Sequence, residues 1–173
     1  MIAAAFILQS CTNTPEYADP EWFAFAPDEQ FEGSVIDMSG WLHAPAGKHG
    51  FVRMENDDFL FEDGTPVKFW GVNICSARPY SDHATIDQWV NQLAHYGING
   101  VRFHKFTQHG MSDTYSDELT QEKWAQFDYF PAALKEAGIY YGWSPIYGQK
   151  LRPGDRDRLL AYDEIMNADM GSH

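Results

Sequence analysis

The nine residues Gly97-Ile98-Asn99-Gly100-Val101-Arg102-Phe103-His104-Lys105 limit what this chain can fold into more than any other stretch. They read as the end of a helix, a tight turn, and a short buried strand that runs out into polar groups. Ile98, Val101 and Phe103 supply the apolar, β-favouring side chains. Arg102 and His104 stand at alternate positions, so on a regular strand they share one face. At the carboxyl end of an inner strand of an α/β barrel, that face opens on the site mouth. On an exposed edge strand the same pair is only a solvated face.

The flanking segments repeat the pattern. Residues 67–74, Val-Lys-Phe-Trp-Gly-Val-Asn-Ile, read as one strand suited to burial on both faces, with Asn73 near its carboxyl end. Asn73 is either a turn-forming amide or a hydrogen bonder aimed at a substrate. Ile86, Trp89, Val90, Leu93 and Ala94 recur at helical spacing behind an N-cap at Ser81 or Asp82, and Gly97 fits the position that ends the helix. After the Arg-x-His strand comes a long polar loop over residues 107–120, placed where binding loops sit. A second helix is predicted over residues 121–137, with Trp124, Phe127, Phe130 and Leu134 on one side; Pro131 should kink or split it, and Gly138 closes it. Residues 139–143 form a third strand, residues 144–148 its exit loop, and a third helix starting near Asp155 carries Leu159, Leu160, Tyr162 and Ile165. The tail at residues 171–173 reads as frayed.

Upstream, residues 34–42 suit a short strand, and residues 51–55 and 59–61 flank an Asn-Asp turn as a β-hairpin able to plug the bottom of a barrel. The order is then hairpin, β-α-β-α-β-α, which implies parallel pairing with right-handed crossovers. No strand is followed by a glycine-rich phosphate turn, which argues against a dinucleotide-binding fold.

Charge and aromatic content narrow the function. The 173 residues carry 25 acidic and 12 basic side chains, a net charge of −13 with no basic patch, which argues against a nucleic-acid partner. Aromatic residues make up 16% of the chain; Trp and Tyr, with flat apolar faces and polar edges, suit sugar rings as well as cores. With only Cys11 and Cys75, a disulfide framework is not expected. Cys75 follows an apolar strand and reads as a small buried residue rather than a nucleophile.

The apolar run at residues 2–8 falls far below the ~20 residues that span a bilayer. It resembles the tail of a secretory signal, and Leu8-Gln9-Ser10-Cys11 resembles a bacterial lipobox, which implies a lipidated Cys11 and membrane attachment. The alternative is a frayed apolar terminus. The expected organisation is a truncated signal at residues 1–11, a linker at 12–34 in which Trp22, Phe23 and Phe25 break the polarity, a β cap at 35–66 and a barrel portion at 67–173.

Three groups of residues carry a family resemblance: Phe69-Trp70-Gly71-Val72-Asn73, Tyr96-Gly97-Ile98-Asn99-Gly100-Val101-Arg102-Phe103-His104, and Phe127-Asp128-Tyr129-Phe130 with Leu134-Lys135-Glu136-Ala137-Gly138-Ile139-Tyr140. Together they resemble cellulase-like glycoside hydrolases of the retaining (β/α)₈ clan that includes family 5. The lead-in over residues 37–51 is similar to bacterial members with a small β cap. The resemblance implies an α/β fold made of the first three βα units of a (β/α)₈ TIM barrel, preceded by a β-hairpin cap. It implies that Arg102 orients a nucleophilic carboxylate and that His104 and Asn73 lie near sugar subsites. Where many relatives end the third strand in Leu-His, Ser144 and Pro145 stand here. Trp143 and Tyr147 are candidate stacking platforms, with core packing the alternative for Trp143. The implied partner is a poly- or oligosaccharide, and no cofactor is called for.

Retaining hydrolysis needs two carboxyl groups ~5–5.5 Å apart, which the clan places on its fourth and seventh strands. Glu118, Glu122 and Glu136 fall in the loop or on the second helix and read as solvated charge. The expectation is therefore the front part of an exported bacterial enzyme of the periplasm, envelope or exterior, with its catalytic acid and nucleophile beyond residue 173 and no hydrolysis by residues 1–173 alone. Two other readings are open: a non-catalytic carbohydrate-binding lipoprotein, and a metal-dependent hydrolase using His104, His109 and Asp113.

Overall fold

A computed structural model describes residues 34–168. They form a mixed α/β structure with two small sheets and three helices; among the described residues no barrel closes. Strands β1 (Val52–Glu55), β2 (Asp58–Phe61) and β3 (Pro66–Val67) make an antiparallel meander in that order. Strands β4 (Gly71–Cys75), β5 (Gly100–His104) and β6 (Tyr140–Ser144) make a parallel sheet in the order β4-β5-β6. Helix α1 (His83–His95) links β4 to β5, α2 (Gln121–Glu136) links β5 to β6, and the short α3 (Tyr162–Asn167) follows.

The two long helices start and stop where their sequences dictate. Asp82 caps α1 by accepting the Thr85 amide at 3.0 Å, and Thr120 caps α2 by accepting the Lys123 amide at 3.2 Å. Each ends two residues before a glycine with positive φ, Gly97 at +68° and Gly138 at +82°, with Tyr96 and Ala137 as the intervening C-caps. A side chain at Gly138 would also strike the backbone of Ala44, at 2.8 Å from its nitrogen, so the segment before β1 lies against the helix end. Both helices cover the same face of the parallel sheet. Between them and β5 lies the core: Ile86 and Val90, Val101 and Phe103, and Phe127, Phe130 and Leu134, with Phe106 and Ile139. The rings of Phe103 and Phe127 meet edge to face at 5.1 Å, and those of Phe106 and Phe127 stack at 4.9 Å. Burying one such side chain contributes roughly 1.5–3 kcal/mol, so this aromatic cluster is the main apolar support of the sheet.

The meander sits at the amino ends of the parallel strands. Phe61 stacks on Tyr140 at 5.6 Å, and Phe69 meets the same ring edge-on at 5.7 Å. No described helix is long and apolar enough to cross a membrane. The expected signal, the lipobox with Cys11 and nearly all of the linker lie outside the described residues.

Four expectations need correction. Residues 34–42 hold a 3₁₀ turn at Ser39–Trp41 rather than a strand. The hairpin is a three-stranded meander, because the strand expected over residues 67–74 is broken in two. Pro66–Val67 pairs with β2, residues 68–70 cross over, and Gly71–Cys75 joins β5. The Asn99 side chain fixes the crossing: it donates to the Lys68 carbonyl at 2.7 Å and accepts the Trp70 amide at 2.7 Å. Helix α2 is not split at Pro131; the proline is buried and the helix runs on through Leu134, held by core contacts on either side. The third helix begins at Tyr162, not near Asp155. The Asp155 carboxylate instead accepts the amides of Arg152 at 2.6 Å and Ser116 at 3.0 Å, which pins a 3₁₀ turn at Pro153–Asp157 to the preceding loop. Ala161, left-handed at φ +60°, then turns the chain into α3 and leaves Leu160 exposed.

Candidate functional site

The pairing register sets which side chains share the face of the parallel sheet that no described helix covers. Val101 and Phe103 point into the helices, so Gly100, Arg102 and His104 point the other way. Paired residues on parallel strands share a face, which arranges this side in three rows across β4, β5 and β6. The first row is Gly71, Gly100 and Tyr140; the second is Asn73, Arg102 and Gly142; the third is Cys75, His104 and Ser144. The rows run toward the carboxyl edge. The first two, with Phe69, border a shallow cleft of about 350 Å³.

The structure therefore brings Asn73, Arg102 and His104 together. The Arg102 Nε donates to the Ser144 hydroxyl at 2.7 Å, and one terminal nitrogen lies 3.2 Å from His104 Nδ1. A guanidinium is donor-only, so His104 Nδ1 accepts, and the imidazole is neutral with its proton on Nε2. Electrostatics agree: partial burial, then the charge of Arg102 and then that of Lys105, hold the His104 pKa below its ordinary value. Among the described residues Arg102 has no carboxylate partner; the hydroxyl and the imidazole are the groups that fix its direction.

Tyr147 joins the same edge. Its ring lies 5.0 Å from that of His104, edge to face, and the Lys105 ammonium sits 4.0 Å from its centroid. Lys105 reaches there because it leaves β5 in the left-handed region, at φ +59°. Ser76, the residue after β4, does the same at φ +60°, and its amide donates to the His104 carbonyl at 3.0 Å. Two successive strands thus end in an unusual non-glycine conformation at this rim.

Trp143 is not brought to the site. It stands one residue out of phase, on the helix-covered face, against Phe127 at 5.5 Å and Trp124 at 6.3 Å. Nor do His104, His109 and Asp113 assemble: among the described residues no group of three His, Cys, Asp or Glu side chains is placed to hold a metal ion, and His109 Nε2 pairs with the Gln108 amide nitrogen at 3.0 Å. Sequence reasoning missed Lys105 as a member of the rim, and it took Ser144 only as a departure from a family pattern. Ser144 becomes visible as the Arg102 partner once strand register is known. Lys105 gives no signal beyond following a polar strand end.

The loop over residues 107–120 is tied down. Thr107 donates its hydroxyl to the Pro145 carbonyl at 2.6 Å, and the Ser112 amide donates to the Glu118 carbonyl at 2.7 Å. Arg158 covers the Tyr115 ring at 3.5 Å and pairs with Asp117 and Glu118 at 3.3 and 3.1 Å. The acidic groups of this loop nearest α2 are thus turned to Arg158.

Compared with known proteins, the chain matches no family model, no curated protein and no solved structure.

Proposed function

We propose that residues 71–168 are the first three βα units of a (β/α)₈ glycoside hydrolase of the retaining clan that includes family 5, and that the rows around Arg102 line its sugar subsites. The observation that carries this is the oriented guanidinium of Arg102. It is fixed by Ser144 and His104 on the face of a parallel sheet that no described helix covers, near the carboxyl edge, and has no carboxylate partner among the described residues. Ligand sites on βα architectures gather at that edge. In this role Arg102 orients a nucleophilic carboxylate, Asn73 and the Nε2 proton of His104 donate to sugar hydroxyls, and Tyr147 offers the free part of its ring. The β1–β3 meander closes the amino ends of the strands.

The nine positions of the three rows hold no Asp or Glu, so in this reading the rows supply binding and orientation and not the acid pair that hydrolysis needs. Export and lipid attachment at Cys11 belong to the same proposal. The test uses the 173-residue chain with β-linked gluco- and manno-oligosaccharides, followed by NMR. Oligosaccharide should shift the His104 and Tyr147 ring signals, and Arg102→Lys should weaken binding while Trp143→Phe should not. Binding that depends on Trp143 and ignores Arg102 overturns the assignment, as does release of reducing sugar by this chain above a blank.

A further inference from the structure

We propose that the rim beside Cys75 is an anion subsite, built from Lys105 and His104 next to Arg102, and that the sugar it takes carries a carboxylate, as in a uronic acid. The inference rests on the sugar-cleft reading above and names the class of sugar.

The argument is one of charge and hydrogen-bond polarity. The chain holds 25 acidic against 12 basic side chains, so an average surface patch is acidic by two to one. At this edge the balance inverts. The three rows contain one charged side chain, Arg102, and the next residue after the His104 row on β5 is Lys105. Three acids of the loop after β5 and of the turn pinned to it are held by other groups: Asp117 and Glu118 by Arg158, and Asp155 by the amides of Ser116 and Arg152. One carboxylate, the nucleophile proposed above, is enough for Arg102. It leaves Lys105, whose ammonium is held 4.0 Å from the Tyr147 ring centroid by a left-handed backbone turn at φ +59°. His104 adds a donor, because its Nδ1 already accepts from Arg102 at 3.2 Å and its proton therefore lies on Nε2. An ammonium and an N–H donor bordering an aromatic ring suit a pyranose ring with a carboxylate on its edge. A neutral sugar would leave the ammonium without an anionic partner. The depressed His104 pKa fits, since partial burial first and then both cations oppose its protonation.

Cys75 makes the subsite measurable. It is a free thiol, partly exposed, and the register neighbour of His104. The full chain, produced unlipidated so that Cys11 keeps its thiol, is alkylated with iodoacetate or with iodoacetamide, and Cys75 and Cys11 are followed separately by peptide mass spectrometry. An anion subsite concentrates iodoacetate, so the iodoacetate-to-iodoacetamide rate ratio at Cys75 should exceed that at Cys11 by about fivefold or more. Lys105→Gln should remove most of the excess and Lys105→Glu should invert it, with circular dichroism checking that each variant folds. Methyl β-D-glucuronide should then slow Cys75 alkylation more than methyl β-D-glucoside does. Equal ratios at the two cysteines, or an excess untouched by Lys105→Glu, overturn the proposal. Equal protection by both glycosides also overturns it while leaving a neutral-sugar cleft standing. Protection by neither glycoside overturns the sugar reading itself, and this inference with it.

Discussion

Asn99 is the residue whose removal tests how the inner strand is held. Its amide spans residues 68–70, donating to the Lys68 carbonyl and accepting the Trp70 amide, both at 2.7 Å. Its own backbone amide donates to the Trp70 carbonyl at 3.0 Å. The side chain therefore acts as a short stretch of strand where the chain leaves the meander and enters β4. Asn99→Ala removes two hydrogen bonds, each worth about 1 kcal/mol net. Lys68 and Trp70 are exposed, so water recovers part of that. The expected loss is about 1–2 kcal/mol, or roughly 2–8 °C in Tm for a domain of this size. Asn99→Asp separates the two bonds: it keeps an acceptor for the Trp70 amide and loses the donor to Lys68. Amide exchange at Trp70 should thus quicken in Asn99→Ala and stay slow in Asn99→Asp, although both variants lose stability in a urea melt. A Tm change under about 1 °C in Asn99→Ala, with Trp70 exchange unaltered, would refute the bridge.

Phe103 is fully buried among the rings of Phe127 and Phe130, at 5.1 and 5.4 Å. Phe103→Ala should cost about 3–5 kcal/mol by chemical denaturation, and Phe103→Leu clearly less. Asp63 accepts the Thr65 amide and pairs with His49 at 2.6 Å, and these hydrogen bonds, Thr65 first, hold its pKa down to about 2. Its stabilising share is complete above the unfolded carboxylate pKa of 3.8 and is lost as pH falls from there toward 2. Asp63→Asn should flatten the acid limb of a Tm-against-pH curve in that window. Arg102→Gln removes one of the cations opposing His104 protonation, so the His104 ring should titrate at higher pH than in the parent chain by NMR; an unmoved midpoint contradicts the 3.2 Å contact.

Local order made much of the fold legible. The apolar period of α1, the acceptor at Asp82 and the glycines at 97 and 138 all act within a few residues, so the helices and the strands after them can be read directly. The break at residues 68–70 cannot, because Val67-Lys68-Phe69-Trp70-Gly71-Val72 has no turn residue until Gly71 and the side chain that bends it comes 29 residues past Trp70. Pro131 misled for a related reason: core packing from α2 overrides what the ring does to an isolated helix. At the site, the shared face of Arg102 and His104 followed from alternation within one strand. The partnership of Arg102 with Ser144 needed the register between two strands, which their sequences leave open. The side on which Trp143 lies was a matter of counting residues from Phe103 across that register, and it is the helix-covered side, where Trp143 stays half exposed beside Phe127.

Gly142 gives the second row a position still to be filled. It stands level with Asn73 and Arg102, and a β-carbon placed on it would meet no atom within 4 Å. A substituent there can therefore alter the width and polarity of the floor beside the guanidinium without disturbing the aromatic support behind the sheet. Selection or engineering has at residue 142 a means of changing which ring fits that is uncoupled from whether the domain stands.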